Sequence, residues 1–250
     1  MIKIINSGCN GHMGQVVATV VKTDPDAQIV AGIDIDTQQK SGYPVYEKPS
    51  QIEEPADVII DFSNPAALDS LLTYAIKNNI PLILCTTGYS AEQLDSIESA
   101  SKQIPVFRSS NMSVGINLLV DLIKRACSVL GEDFDIEIVE RHHKRKIDAP
   151  SGTAILLADA ANAALPYDAD YTYQRESSRK PREKEEIGIS SVRGGTIVGV
   201  HDVIFAGHDE VIELRHTAAS RDIFALGALR AAKFIAGKSA GLYSMKDMIN

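Results

Sequence analysis

Three glycines, Gly8, Gly11 and Gly14, stand between a short β-branched run and an amphipathic segment, in the spacing G-x-x-G-x-x-G. In a strand–loop–helix unit the first permits a tight turn, the second lets backbone N–H groups approach a pyrophosphate, and the third lets the helix pack closely. The helix that follows aims its positive dipole end and its unpaired N–H groups at that turn, which suits phosphate. Asp34 ends the next β-rich run, 20 residues beyond Gly14, where a carboxylate accepts hydrogen bonds from an adenosine ribose. Glycines serving chain geometry alone are the competing reading. The strand before them, the helix after them and the acid beyond favour a nucleotide.

The rest of the first half keeps the same alternation. Strands are expected at 2–5, 28–34, 57–61, 81–85 and 106–108, and helices at 13–23, 66–78 and 91–102. Strands alternating with helices imply right-handed crossovers and a parallel sheet covered on both faces. From Asn111 the pattern changes. Helices are expected at 115–130 and 153–164, a charged loop at 175–186, and strands at 134–140, 189–192, 196–201, 202–205 and 211–217. That mixture predicts a mixed or antiparallel sheet with helices on one face. A last helix, expected at 223–236, has apolar and small residues round much of its circumference and needs a large partner surface. The fold class is therefore α/β: a Rossmann-like parallel-sheet domain, then an α+β domain with a mixed sheet, divided near Asn111 with a return near Ser220.

Two further loops fall at the carboxyl ends of expected strands, where open parallel sheets bind ligands: Asp61-Phe62-Ser63 and Thr86-Thr87-Gly88. Each reads equally well as a turn with a helix cap, since Ser, Thr and Gly favour both.

Composition removes several classes. The 250 residues carry a net charge of −8, which argues against nucleic acid or an anionic membrane as partner, because both need a basic excess. No apolar run approaches the ~18 residues of a membrane span, and Met1 leads directly into a strand rather than a signal sequence. Cys9, Cys85 and Cys127 lack metal-ligand spacing and read as reduced thiols. A cytoplasmic enzyme with no metal site is the expectation.

The run Arg141-His142-His143-Lys144-Arg145-Lys146 crowds basic groups at a strand end, ahead of a helix starting near Ser151-Gly152-Thr153. A solvated charged face is the ordinary reading of such a run, and Ser151 as a simple N-cap the ordinary reading of the helix start. Adjacent histidines point apart on a strand, so zinc does not fit. Against the ordinary reading stands the company: a proton-handling imidazole, a lysine that can serve as an acid and a helix start suited to a carboxylate.

These motifs resemble the dihydrodipicolinate (4-hydroxy-tetrahydrodipicolinate) reductase family along the whole chain. The marks are Gly8-x-x-Gly11-x-Met13-Gly14, Asp61-Phe62-Ser63, Thr86-Thr87-Gly88, Ser110-Asn111-Met112-Ser113-Val114-Gly115 and Val192-Arg193-Gly194-Gly195-x-Ile197-Val198-Gly199-x-His201. The most specific is Glu140-x-His142-His143-x-x-Lys146-x-Asp148-Ala149-Pro150-Ser151-Gly152-Thr153-Ala154. The resemblance implies reduction of a small dicarboxylate by NADH or NADPH in lysine and diaminopimelate biosynthesis, by a homotetramer. It implies His142 as general acid/base, Lys146 as proton donor, and His143, Gly152 and Thr153 as the substrate grip. Gly8, Cys9, Asn10, Gly11, His12, Met13, Asp34, Cys85, Thr86, Thr87, Ser109, Ser110, Asn111 and Met112 would line the cofactor site. It further implies a dinucleotide-binding domain of 1–111 completed by 221–250, and a substrate-binding and oligomerisation domain of 112–220. Two departures are visible: Cys85 stands where the family usually has glycine, and no arginine follows Asp34, so NADH should serve at least as well as NADPH. An aspartate or homoserine dehydrogenase shares the nucleotide domain but needs no paired histidines. A redox-sensing DNA-binding regulator would show a basic face or a helix-turn-helix, and neither is apparent.

Overall fold

A computed structural model describes residues 1–176 and 179–249; part of the charged loop expected at 175–186 lies outside them. In chain order the elements are β1 (Ile2–Ser7), α1 (His12–Lys22), β2 (Ala27–Ile33), β3 (Val45–Tyr46), β4 (Val58–Asp61), α2 (Leu68–Asn78), β5 (Leu82–Leu84), α3 (Ala91–Ser101) and β6 (Pro105–Arg108). There follow α4 (Val114–Leu130), β7 (Asp135–His142), α5 (Gly152–Asn162), β8 (Asp170–Thr172), β9 (Glu186–Arg193), β10 (Gly199–Ala206) and β11 (Val211–Ala218). The chain closes with α6 (Asp222–Ile235), β12 (Gly241–Tyr243) and α7 (Met245–Ile249). It divides into two compact units, Met1–Val114 with the return from Arg221, and Gly115–Ser220.

In the first unit the strands pair in the order β12-β6-β5-β4-β1-β2-β3, every pair parallel. The pleat explains its two faces. Ile4, Ile60 and Ile83 pack with Val17 and Val21 of α1 and with Ala228 and Ala232 of α6. Their strand neighbours Ile5, Ile59 and Leu82 pack with Leu68, Leu71 and Ala75 of α2 and with Ile97 and Ala100 of α3. Side chains alternate along a strand, so continuous apolar runs feed both layers at once. Each helix presents a face at three- and four-residue spacing, as Leu68, Leu71, Leu72 and Ala75 do on α2. All the parallel strands send their carboxyl ends to one edge of the sheet.

The second unit has the order β11-β10-β7-β9-β8, with β10 antiparallel to both neighbours and the other pairs parallel, a mixed sheet. Its core lies between one sheet face (Ile136, Ile138, Ile187, Ile189, Val203, Phe205) and helices α4 and α5. One expectation is corrected here. The strands expected at 196–201 and 202–205 are a single strand, β10, that starts only at Gly199. The side chains of His201 and Asp202 are both buried: Asp202 pairs with Arg141 of β7 and Arg215 of β11, and His201 bonds the Ser151 hydroxyl at the start of α5. The short elements β3, β8, β12 and α7 were not expected.

Candidate active site

The glycine turn leaves no room for side chains. Gly8 has φ +75, and a Cβ there would stand 2.6 Å from the Phe62 carbonyl oxygen; one at Gly14 would stand 2.1 Å from the carbonyl oxygen of Gly8. Gly11 caps α1 with extended backbone and no side-chain bond, and the first turn contains no acid. The leading N–H groups of the helix thus face a cradle of bare backbone, which fits a pyrophosphate. His12 is exposed there and Met13 half-buried against the core. Cys9 lies beneath the turn, its thiol pushed up to about 11 by burial and then by the Asp34 charge, so it is an inert packing residue.

Asp34 braces this turn as well as ending β2. Its carboxylate accepts from the Asn10 N–H at 2.9 Å and the Asp36 N–H at 3.1 Å, while the Asn10 side chain donates to the Asp36 and Gln38 carbonyls. Among the described residues these two N–H bonds occupy two of about four acceptor positions of the carboxylate. Lys40 is tied to Asp36 at 2.8 Å.

The next two loops share an anchor. Asp61 is buried and accepts from the hydroxyls of Ser7, Ser63 and Thr86 at 2.7, 2.5 and 2.7 Å. Burial pushes its pKa up, and the three hydroxyls oppose that by favouring the anion. The ends of β1, β4 and β5 are therefore fastened through one carboxylate. Cys85 is buried and its thiol is driven up by desolvation, Thr86 is buried and Thr87 exposed. After β6, the Ser109 hydroxyl donates to the Asn111 carbonyl at 2.8 Å; Ser110 is exposed, and Met112 enters the core. Sequence reading missed the bracing roles of Asp34 and Asp61, which need the third dimension.

In the second unit the basic run separates by strand alternation. Arg141 pairs with Asp202, which also holds Arg215, while Lys144 and Arg145 are exposed. His142 turns inward. Its Nδ1 lies 2.6 Å from Glu140 Oε2, and its ring meets that of His201 edge-on, with centroids 5.1 Å apart. Glu140 is grasped by both guanidinium nitrogens of Arg193 at 2.7 Å and by the Ser151 N–H at 3.1 Å. Burial works against its charge, but the bonds from Arg193 and His142 win and hold it down to about 2. Desolvation lowers the His142 pKa, with Glu140 opposing. His201 bonds the Ser151 hydroxyl at 3.0 Å and is held at about 4 by burial and then by His142.

The remaining site residues gather round this pair. The turn after β7 is fixed by the Gly194 N–H on the His142 carbonyl (2.9 Å) and the Lys146 N–H on the His143 carbonyl (3.1 Å). The Lys146 ammonium meets Asp148 at 2.9 Å, and its charge acts on both His142 and His201. His143 is half-buried, with its Nδ1 unpaired among the described residues. Ser151 caps α5 by accepting from the Ala154 N–H at 3.1 Å. Gly152 and Thr153 form the first turn. Sequence reading assigned no role to Glu140, Arg193 or His201. The i, i+2 spacing of Glu140 and His142 was a readable hint. Arg193 reaches them because β9 places it opposite His142 in the ladder. Among the described residues no group of three or more His, Cys, Asp or Glu could hold a metal ion.

A parallel-sheet unit with a phosphate cradle, followed by a mixed-sheet unit with a buried acid–imidazole pair, defines a two-unit oxidoreductase built round a pyridine-nucleotide Rossmann fold. Residues 2–112 match the family described as dihydrodipicolinate reductase, N-terminus, and residues 115–249 its C-terminus. The chain belongs to the dihydrodipicolinate reductase family. A 4-hydroxy-tetrahydrodipicolinate reductase of Caldanaerobacter subterraneus subsp. tengcongensis is 53% identical over 249 residues, 100% of this chain and 98% of the relative. One from Clostridium novyi is 51% identical with the same coverage. Among solved structures, a dipicolinate-bound dihydrodipicolinate reductase from Paenisporosarcina sp. TG-14 aligns over 100% of both chains with a TM-score of 0.84 at 24% identity, a likeness of fold.

Proposed function

We propose that the chain is a 4-hydroxy-tetrahydrodipicolinate reductase of lysine and diaminopimelate biosynthesis, reducing that cyclic dicarboxylate to tetrahydrodipicolinate with loss of water. The observation that carries this reading is the buried Glu140–His142 pair between Lys146 and the capped start of α5. Gly8, Cys9, Asn10, Gly11, His12, Met13 and Asp34, with Cys85, Thr86, Thr87, Ser109, Ser110, Asn111 and Met112, form the dinucleotide site of the first unit. The second unit holds substrate and makes the contacts of a homotetramer. The bound reduced nicotinamide supplies the hydride. Lys146 holds a transferable proton as its ammonium, and His142 presents a second nitrogen that can take or return one; such transfer is typically worth ~10²–10⁴ in rate. His143 and the α5 start, with Gly152 and Thr153, bind carboxylate through N–H groups, hydroxyl and dipole. NADH should serve at least as well as NADPH, because Asp34 repels a 2′-phosphate. Three buried free cysteines suit a reducing cytoplasm.

The test is a coupled assay supplying aspartate semialdehyde, pyruvate and the preceding synthase, with NADH and NADPH in parallel. Oxidation of either cofactor that depends on the synthase is expected; none with either sinks the reading. His142→Gln should lower kcat about 30- to 1,000-fold, on the order of 2–4 kcal/mol of transition-state stabilisation, at unchanged NADH affinity. A kcat near the parent's would remove His142 from the chemistry.

A further inference from the structure

We propose that Glu140 is a positioning residue that fixes the tautomer of His142, so that Nε2 is the nitrogen offered to substrate, and that Arg193 holds Glu140 for that purpose. The proposal rests on the reading of His142 as a proton-handling group and deepens it.

Donors and acceptors round Glu140 decide the tautomer. The Glu140 side chain is fully buried. Its Oε1 receives Arg193 Nη2 at 2.7 Å and the Ser151 N–H at 3.1 Å; its Oε2 receives Arg193 Nη1 at 2.7 Å and faces His142 Nδ1 at 2.6 Å. A carboxylate has about four lone-pair sites and, ionised, only accepts. Arg193 and the Ser151 N–H can only donate, and the Ser191 hydroxyl bonds the carboxylate as well; an anion that only accepts requires the imidazole to donate too, so His142 carries its hydrogen on Nδ1. Neutral imidazole has one N–H, and Nε2 is left with a lone pair. Once protonated there, the ring becomes an imidazolium that Glu140 stabilises. The same carboxylate thus orients the ring, chooses its tautomer and steadies its charged form, as hydrogen-bonded carboxylates do behind other functional histidines.

Arg193 extends the brace. Its Nη2 also donates to the Asp148 carbonyl at 2.6 Å, and Asp148 holds the Lys146 ammonium. One guanidinium therefore sets both proton-handling residues, from a strand that contributes neither. The charged and titratable groups acting on His142 are Glu140 beside it, Lys146 from the turn, Arg193 from β9 and His201 from β10. Glu140 favours the imidazolium, Lys146 and Arg193 oppose it, and His201 meets the ring edge-on, so removing the Glu140 charge should move the titration of His142 to lower pH.

The direct test is nitrogen NMR of enzyme labelled with ¹⁵N-histidine, with His142 assigned by loss of its signals in His142→Gln. The expected spectrum of the parent at neutral pH shows His142 with Nδ1 protonated and Nε2 bare; the reverse tautomer overturns the proposal without any variant needing to fold. In Glu140→Gln, kcat should fall about 10- to 100-fold, NADH affinity should stay within twofold, and the His142 limb of the kcat–pH profile should move to lower pH. Arg193→Lys, which keeps the charge but loses the two-pronged grip, should show a smaller loss in the same direction. A folded Glu140→Gln enzyme with parental kcat and pH profile overturns the positioning role. Failure of the underlying reading looks different: the Nδ1–H tautomer would be present while His142→Gln kept full kcat.

Discussion

Two buried side chains of the second unit make acidification costly. His201 is held at about 4, by burial first and by His142 next, against an ordinary 6.5. An unfolded chain therefore binds a proton at this residue that the folded chain refuses. The stability involved is whole above 6.5 and is lost as pH falls toward 4, roughly 3 kcal/mol in all. Glu140, held at about 2 against 4.5, repeats the pattern lower down: its contribution is intact above 4.5 and disappears as pH falls toward 2. Urea unfolding between pH 7 and 4 should thus show the parent losing stability steadily. His201→Gln, which keeps a donor near the Ser151 hydroxyl, should flatten that dependence; an equally steep slope would deny His201 the role. In the first unit the buried carboxylate is Asp61, whose pKa burial raises, so its interest lies in its hydrogen bonds rather than in acid stability. Thr86→Val removes one of its three hydroxyl donors and should cost about 1–2 kcal/mol. Because the same carboxylate fastens the loops after β1, β4 and β5, NADH affinity by fluorescence titration should weaken several-fold. Unaltered affinity would show that the loops hold their shape without this bond.

At the scale of elements, the turn after β2 bears on the proposed preference for NADH. Ile35 is fully out in solvent, and Lys40 is bound to Asp36 across an exposed i, i+4 pair that water and salt screen. The first cation after Asp34 along the chain is thus occupied, weakly. Asp36→Ala should release Lys40 and raise the NADPH/NADH ratio of kcat/KM a few-fold at low salt, less at moderate salt. A ratio that does not move, or a parent that favours NADPH tenfold, would be incompatible with this account. The same scale shows what could be read from the chain. The long elements were legible because their apolar spacing has one interpretation: β1 with α1, α2, α4 and α6 lie close to where periodicity places them. Strands of two or three residues, β3, β8 and β12, are too short to carry a period, and they exist by pairing at the edges of larger sheets. β10 runs unbroken through the buried pair His201-Asp202, where the sequence reading placed two strands. Likewise His142, Lys146 and Thr153 were visible as a cluster, whereas Arg193 becomes part of it only through the β7–β9 register.

At the scale of the whole chain, the first unit is closed by residues that come last. α6 lies on the α1 side of the parallel sheet, with Lys233 bonded to Asp24 at 2.7 Å, and β12 extends the sheet beyond β6. The small face of α6 has a specific use. A Cβ on Gly227 would stand 1.7 Å from the carbonyl oxygen of Met112, so helix and backbone touch directly where the chain is about to leave the first unit. Two effects oppose each other in Gly227→Ala. Alanine favours the helix by roughly 1 kcal/mol over glycine, while forcing a methyl into a filled core costs typically 1–3 kcal/mol. The clash is with a backbone oxygen, which cannot rotate away, so the helix or the 109–112 segment must shift and overpacking wins. The expected net loss is on the order of 1–2 kcal/mol, or several degrees of Tm for a chain of this size. Since Ser109, Ser110, Asn111 and Met112 belong to the proposed nucleotide site, NADH affinity should fall along with Tm. Leu226→Ala is the control: its side chain is half-exposed on the same helix, so both quantities should stay near the parent's. A Gly227→Ala protein with parental Tm and NADH affinity would mean that the contact gives way freely, and that the returning helix does not set the shape of the 109–112 segment.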